Sequence, residues 1–259
     1  ERRGDKHVKS AEWEAYLLTS MQQNKPYNQL AREILAADGV DPKNRAPVKF
    51  YLDREDLAVN LVTRDTARVF FGRDIECAQC HDHPLISDYE QSEYYGLLAF
   101  LDRISLFQPN KKKPAVIAEK AEGTVKFKSV FTGYEGETRP RLPGEAEISE
   151  PTFKKGEEYQ VKPDKNVRPV PKYSRREKLA ELATQGTNAA FNKNIANRLW
   201  AVMLGQGLVN PVDLHHPDNP PASEELLELL STEFVGMKFD VKLFLKEIAL
   251  SKAYQRSFR

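Results

Sequence analysis

A chain of 259 residues is long enough for one large domain or two modest ones, with a buried core that needs no disulfide scaffold. Lys and Arg total 39 against 38 Asp and Glu, so no global basic field draws in nucleic acid or an anionic membrane surface. No apolar run approaches the roughly 20 residues that cross a bilayer, so no membrane span is expected.

The chain opens on the charged run Glu1-Arg2-Arg3-Gly4-Asp5-Lys6, without an apolar leader, and stops at Ser257-Phe258-Arg259. Neither end reads as a natural terminus, and the expectation is a fragment or processed product. Four helices are predicted before residue 110. Ser10 opens the first, through about Gln23, with Trp13, Tyr16, Leu17 and Met21 forming a buried stripe. Pro26, Leu30, Ile34, Leu35 and the stop at Gly39 define the second. The third is read from Asp53 to Phe71, ended by Gly72, and it delivers the chain to Cys77. The fourth starts near Ser92 and is apolar almost all round, through Tyr94, Tyr95, Leu97, Leu98, Phe100 and Leu101, so it is buried or faces a cofactor.

From about Gln108 to Lys172 the composition changes. Short β-type runs at 115–118 and 124–131 predict a small antiparallel insert, and the Pro-, Glu- and Lys-rich stretch 139–171 predicts an irregular surface connection. Helices return at Ser174, Asn188, Ser223 and Asp240, the second closed by Gly205 and Gly207. The expected fold is mainly α: a helical part over 1–108, a β-containing insert and irregular linker over 109–172, and a C-terminal helical part over 173–259.

The chemistry concentrates in Cys77-Ala78-Gln79-Cys80-His81, which contains the only two cysteines of the chain. A spacing of three lets both sulfurs leave one side of a helical turn, and a histidine directly after the second cysteine is the pattern of c-type haem attachment. On this reading Cys77 and Cys80 form thioethers to one covalent haem c, and His81 is the proximal iron ligand. Two alternatives stay open. One is a redox-active dithiol, although no βαβ pattern surrounds the motif; the other is a zinc site on Cys77, Cys80 and His81 or His83, which lacks an obvious fourth ligand.

The second axial ligand is undecided. His83 lies two residues past His81, and a loop role, bonding backbone or a propionate, competes with ligation. His215 and His216 lie in the polar loop 214–221, where imidazoles are ordinarily at the surface. Met203, like Met21 and Met237, suits core packing as well as ligation. An open, five-coordinate iron is a further option. Arg198 either pairs with a propionate or makes a helix-surface ion pair. Tyr94 and Tyr95 either pack on the porphyrin or belong to the core. Asp82 and Asp88 match no calcium loop. No hydrolytic triad, paired-carboxylate site, phosphate-binding loop or zinc-protease motif is visible.

Residues 77–84, Cys77-Ala78-Gln79-Cys80-His81-Asp82-His83-Pro84, with Gln91, Tyr94-Tyr95-Gly96 and Ala99-Phe100, resemble the planctomycete cytochrome-like domain of unknown function. Asn24-Lys25-Pro26-Tyr27 and Ala37-Asp38-Gly39 fit the same family. Downstream, Asn197-Arg198-Leu199-Trp200, Gly205-Gln206-Gly207-Leu208-Val209, Pro211-Val212-Asp213 and Ser251-Lys252-Ala253-Tyr254-Gln255 resemble its companion C-terminal domain of unknown function. The chain departs from the family at Tyr89, where a tryptophan is expected, and in a loop one residue longer. The resemblance implies an exported protein, periplasmic or extracellular, often part of a large modular architecture. The expected function is electron transfer by a monohaem c-type carrier or subunit, with a redox protein or larger complex as partner and an oligomeric assembly as a further option. The alternatives are a haem-anchored structural subunit of an extracytoplasmic complex and a zinc-stabilised domain without redox chemistry.

Overall fold

The caps of the C-terminal helices and the glycine stops after two long helices are used as the sequence places them. In this computed structural model, which describes residues 4–256, the N-terminal part contains α1 (Ser10–Gln22), α2 (Tyr27–Leu35), two 3-10 turns at 42–48, the short α3 (Lys49–Leu52), α4 (Val59–Phe71) and α5 (Gln91–Leu101). The C-terminal part contains α6 (Arg175–Thr184), α7 (Ala189–Leu204), α8 (Glu224–Gly236) and α9 (Val241–Leu250). These four helices start on a side chain that accepts from a backbone amide of the first turn: Ser174, Asn188, Ser223 and Asp240. Gly72 and Gly205 end α4 and α7 in the left-handed conformation, at φ 68° and 83°. The chain ends at 1–3 and 257–259, on which the fragment reading rests, lie outside the described residues.

Between the helical parts lie three two-stranded antiparallel ladders: β1 (Ile104–Phe107) with β2 (Val116–Glu119), β3 (Val125–Lys128) with β4 (Glu135–Thr138), and β5 (Tyr159–Val161) with β6 (Val170–Pro171). The fold is therefore mainly α with a small β insert, as expected. One apolar cluster runs from Val8 to Ile248 and draws on all three sequence segments. Helix α5 is its axis, packing on α4, α6, β3, β4 and the turn Cys77–Gln79. The all-round apolar character of α5 is thus satisfied by protein, with Tyr94, Leu97, Ala99, Phe100 and Leu101 fully buried.

Two elements differ from the sequence expectation. The helix read from Asp53 to Phe71 is broken: α3 stops at Leu52, and Glu55, Asp56 and Leu57 take positive φ before α4 starts at Val59. The Asp53 carboxylate is held instead by the backbone amides of His7 and Val8, both at 2.8 Å. Helix α1 buries only Ser20 fully, and Met21 is exposed, so its apolar stripe is half-covered rather than buried. The connection 139–171 is mostly irregular, as predicted, but it is anchored. Glu150 accepts from Arg175 Nε at 2.7 Å and Nη2 at 2.5 Å, and Leu142 is buried.

Candidate functional site

The left-handed Gly72 turns the chain out of α4, and residues 73–74 pair with the loop at 213–214, where the Asp74 amide donates to the Asp213 carbonyl at 2.9 Å. Ile75 and Ala78 then bury, which pins the following turn to the core by its underside. Cys77–Gln79 form one 3-10 turn, closed by the Cys80 and His81 amides donating to the Cys77 carbonyl at 3.2 and 3.4 Å. With Ala78 inward, Cys77 and Cys80 are both exposed and are free thiols.

Three neighbours clamp this turn. From α4, Arg64 reaches Glu76 Oε1 at 2.5 Å and Gln79 Oε1 at 2.6 Å. From α5, the Tyr95 hydroxyl donates to the Gln79 carbonyl at 2.9 Å. From the β3–β4 hairpin, the Val130 amide donates to the Cys80 carbonyl at 3.1 Å. Burial, and then the neighbouring Cys80, push the Tyr95 phenol up. Tyr94, by contrast, is fully buried, with its hydroxyl 3.2 Å from Asn60 Oδ1. Of the two tyrosines, only Tyr95 hydrogen-bonds the motif.

His81 Nδ1 lies 2.7 Å from the backbone oxygen of Asp82. A carbonyl only accepts, so Nδ1 carries the proton and the Nε2 lone pair is free. That is the tautomer a metal-binding imidazole needs, fixed by a bond from its other nitrogen. Asp82 is itself held, its carboxylate accepting from the Gln91 amide at the start of α5 at 2.8 Å. The His81 ring packs against Phe131, with centroids 4.6 Å apart.

His83 is set the opposite way. Its Nδ1 accepts from the amides of Leu85 and Ile86, at 3.1 and 3.0 Å, which puts the ring proton on Nε2. Its ring meets the edge of Tyr89, and His216 meets the same tyrosine from another side, at 5.5 Å. Tyr89 is wholly buried under the Arg73 guanidinium, and its hydroxyl donates to the His215 carbonyl at 3.2 Å. His215 packs behind Gly72, with Nε2 3.4 Å from the Asn197 amide nitrogen. Burial first, then Arg198 and Arg73, lower its pKa to about 4, so it is neutral near pH 7.

Two family models match separate parts of the chain. Residues 1–105 match the family model PSCyt2, described as a protein of unknown function (DUF1549). Residues 175–259 match PSD1, likewise a protein of unknown function (DUF1553). No curated protein and no solved structure matches. The Cys77–His81 motif falls within the PSCyt2 match, and the Asn194–His216 network falls within the PSD1 match.

The remaining candidates are occupied elsewhere. Arg198 donates to Asn194 Oδ1 at 2.9 Å and to the Arg68 carbonyl at 2.7 Å, which commits it to the junction of α4 and α7. Met203 is half-buried against the apolar cluster. Among the described residues no group of three or more His, Cys, Asp or Glu side chains is gathered to hold a metal ion. A structural zinc needs four converging ligands, whereas haem c asks this face for two thiols and one imidazole. The residues present fit that second demand.

Sequence reasoning missed the apolar rim. Leu85, Val130 and Phe131 are 83, 65 and 77% exposed, and the last two sit at the tip of the hairpin beside the motif. The signal in the sequence is the adjacent pair Val130-Phe131, which follows the alternating β3 and places two apolar side chains in a turn.

Proposed function

We propose that this chain is an exported c-type haem protein that passes single electrons to a partner protein through one covalently attached haem. The observation that carries this reading is the His81 ring, whose Nδ1 proton is held by the Asp82 carbonyl so that Nε2 is free beside two exposed, unpaired thiols. The resemblance of residues 77–100 to the planctomycete cytochrome-like domain, and the PSCyt2 match over 1–105, support it.

Each residue has a distinct part. The thiols of Cys77 and Cys80 would hold the haem as thioethers, each the net addition of S–H across one vinyl group with sulfur on one carbon and hydrogen on the other, so attachment would consume no oxidant. His81 Nε2 would ligate the iron, and the Asp82 carbonyl holds the ring's orientation. When bound, the haem supplies a reversible one-electron couple whose potential follows its ligands and its burial. Because Cys77 and Cys80 are exposed, a haem held there would present an edge to a partner.

The protein, produced in a compartment with cytochrome c maturation, is expected to show a pyridine haemochrome of c type, with one haem per chain that resists acid–acetone extraction. Absence of that spectrum overturns the reading, and metal analysis of the same sample then tests zinc. A redox titration separates carrier from scaffold: an iron that cannot be cycled at accessible potentials assigns the haem a structural role.

A further inference from the structure

We infer that the tip of the β3–β4 hairpin, Val130 and Phe131, is a positioning element of the haem site, holding the His81 ring and supplying apolar surface for a porphyrin attached at Cys77 and Cys80. This inference rests on the haem reading above. Phe131 packs on His81 at 4.6 Å, and the Val130 amide is bonded to the Cys80 carbonyl, so the tip is attached to the motif at both its cysteine and its histidine.

The hairpin is built to hold that position. Phe127 stacks on Tyr95, with centroids 4.9 Å apart and planes 13° from parallel. Its cross-strand neighbour is Gly136, where a Cβ would stand 2.4 Å from the Phe127 ring, so only glycine leaves the ring room to lie across β4. The Gln91 side chain donates to the Lys128 carbonyl. At the tip, the Ser129 amide donates to the Tyr134 carbonyl and the Gly133 amide to the Ser129 carbonyl, which closes the turn. A hairpin locked to α5 and to the motif turn nevertheless ends in two apolar side chains left mostly in water. Apolar side chains held in water by a fixed hairpin offer surface to an apolar ligand beside them. The chemistry around it, two thiols and an imidazole with a free Nε2, names a covalently anchored porphyrin as that ligand.

Because Phe131 is exposed, removing it disturbs few contacts of the haem-free protein. The test uses the full chain with and without haem, comparing wild type, Phe131→Ala, Phe131→Leu, Val130→Ser and, as a remote exposed control on α7, Val202→Ala. The haem-free proteins are expected to melt alike. In the haem-loaded proteins Phe131→Ala is expected to lower the midpoint potential, because water replacing the ring stabilises the more highly charged ferric centre. Phe131→Leu restores part of the shift, and Val202→Ala gives none. If Phe131→Ala loads no haem, Val130→Ser carries the titration under the same criterion. A loaded hairpin variant with the wild-type potential overturns this inference alone. A wild-type protein without c-type haem overturns both this inference and the reading beneath it, and that control is read first.

Discussion

The turn bearing Cys77, Cys80 and His81 and the loop bearing His215 and His216 are joined through one short segment, residues 72–76, yet they treat their reactive groups in opposite ways. In the turn, Tyr95 and Val130 bond the backbone and Arg64 holds the Glu76 and Gln79 side chains, while among the described residues both thiols and the His81 Nε2 lone pair are left without a hydrogen-bond partner. In the loop, the His215 ring is packed behind Gly72 and faces Asn197, and its backbone is held by Gly72 and Tyr89. A rigid scaffold with unspent side-chain chemistry is the arrangement of a site; a neutral imidazole that faces the Asn197 amide and packs against a glycine is the arrangement of a structural joint.

The largest expected effect tests the division itself. Cys77→Ala with Cys80→Ala is expected to abolish haem staining of the denatured chain on a gel completely, because no other thiol exists. His215→Asn, on the joint side, is expected to retain the stain and the axial-ligand bands of wild type. A change of those bands in His215→Asn would move the loop into the site and break the comparison.

The joint predicts its own losses. Gly72 holds φ 68°, and a Cβ there would stand 2.6 Å from His215 Cδ2 and 2.7 Å from Asn194 Oδ1. Gly72→Ala therefore combines left-handed strain with two clashes and is expected to cost about 2–4 kcal/mol, read from the urea midpoint. A cost below about 0.5 kcal/mol would mean the loop yields freely and is not a joint.

Much of the fold is legible in the sequence because its signals are local. Ser174, Asn188, Ser223 and Asp240 each accept from an amide within their own first turn, and Gly72 and Gly205 answer the stop signals after α4 and α7. The break at 53–58 is not legible, because what holds Asp53 is a pair of amides 45 and 46 residues earlier in the chain. At the site, the spacing of Cys77, Cys80 and His81 is explicit, but the tautomers are not. Whether Nδ1 of a histidine meets a carbonyl, as at His81, or two amides, as at His83, is decided by backbone direction in a loop that carries no periodicity. Spacing alone left His83 open as a ligand, whereas its hydrogen bonds put the ring proton on the nitrogen that would have to bind metal.

The burial of His215 also sets a pH dependence. Its pKa falls from 6.5 to about 4 on folding, so between those values the unfolded chain binds the additional proton. Stability from this group is complete above about pH 6.5 and is lost as pH falls toward 4, by up to about 3 kcal/mol. Urea midpoints across pH 4–7 are expected to slope upward in wild type and to flatten in His215→Asn. An unchanged slope would assign the dependence to other groups.

The smallest effect separates the two tyrosines of α5. Tyr95→Phe removes the bond to the Gln79 carbonyl, one of the three clamps on the motif turn, and is expected to cost about 1 kcal/mol. Tyr94→Phe removes a 3.2 Å contact to Asn60, whose exposed amide finds water instead, and should cost less. Global stability does not separate these cases well, but hydrogen exchange does. The Cys80 and His81 amides both donate to the Cys77 carbonyl inside the turn, so loosening the turn exposes them directly. Their exchange is expected to quicken in Tyr95→Phe and to hold in Tyr94→Phe. If both variants leave it unchanged, the turn is rigid without α5, and its rigidity belongs to Arg64 and the hairpin alone.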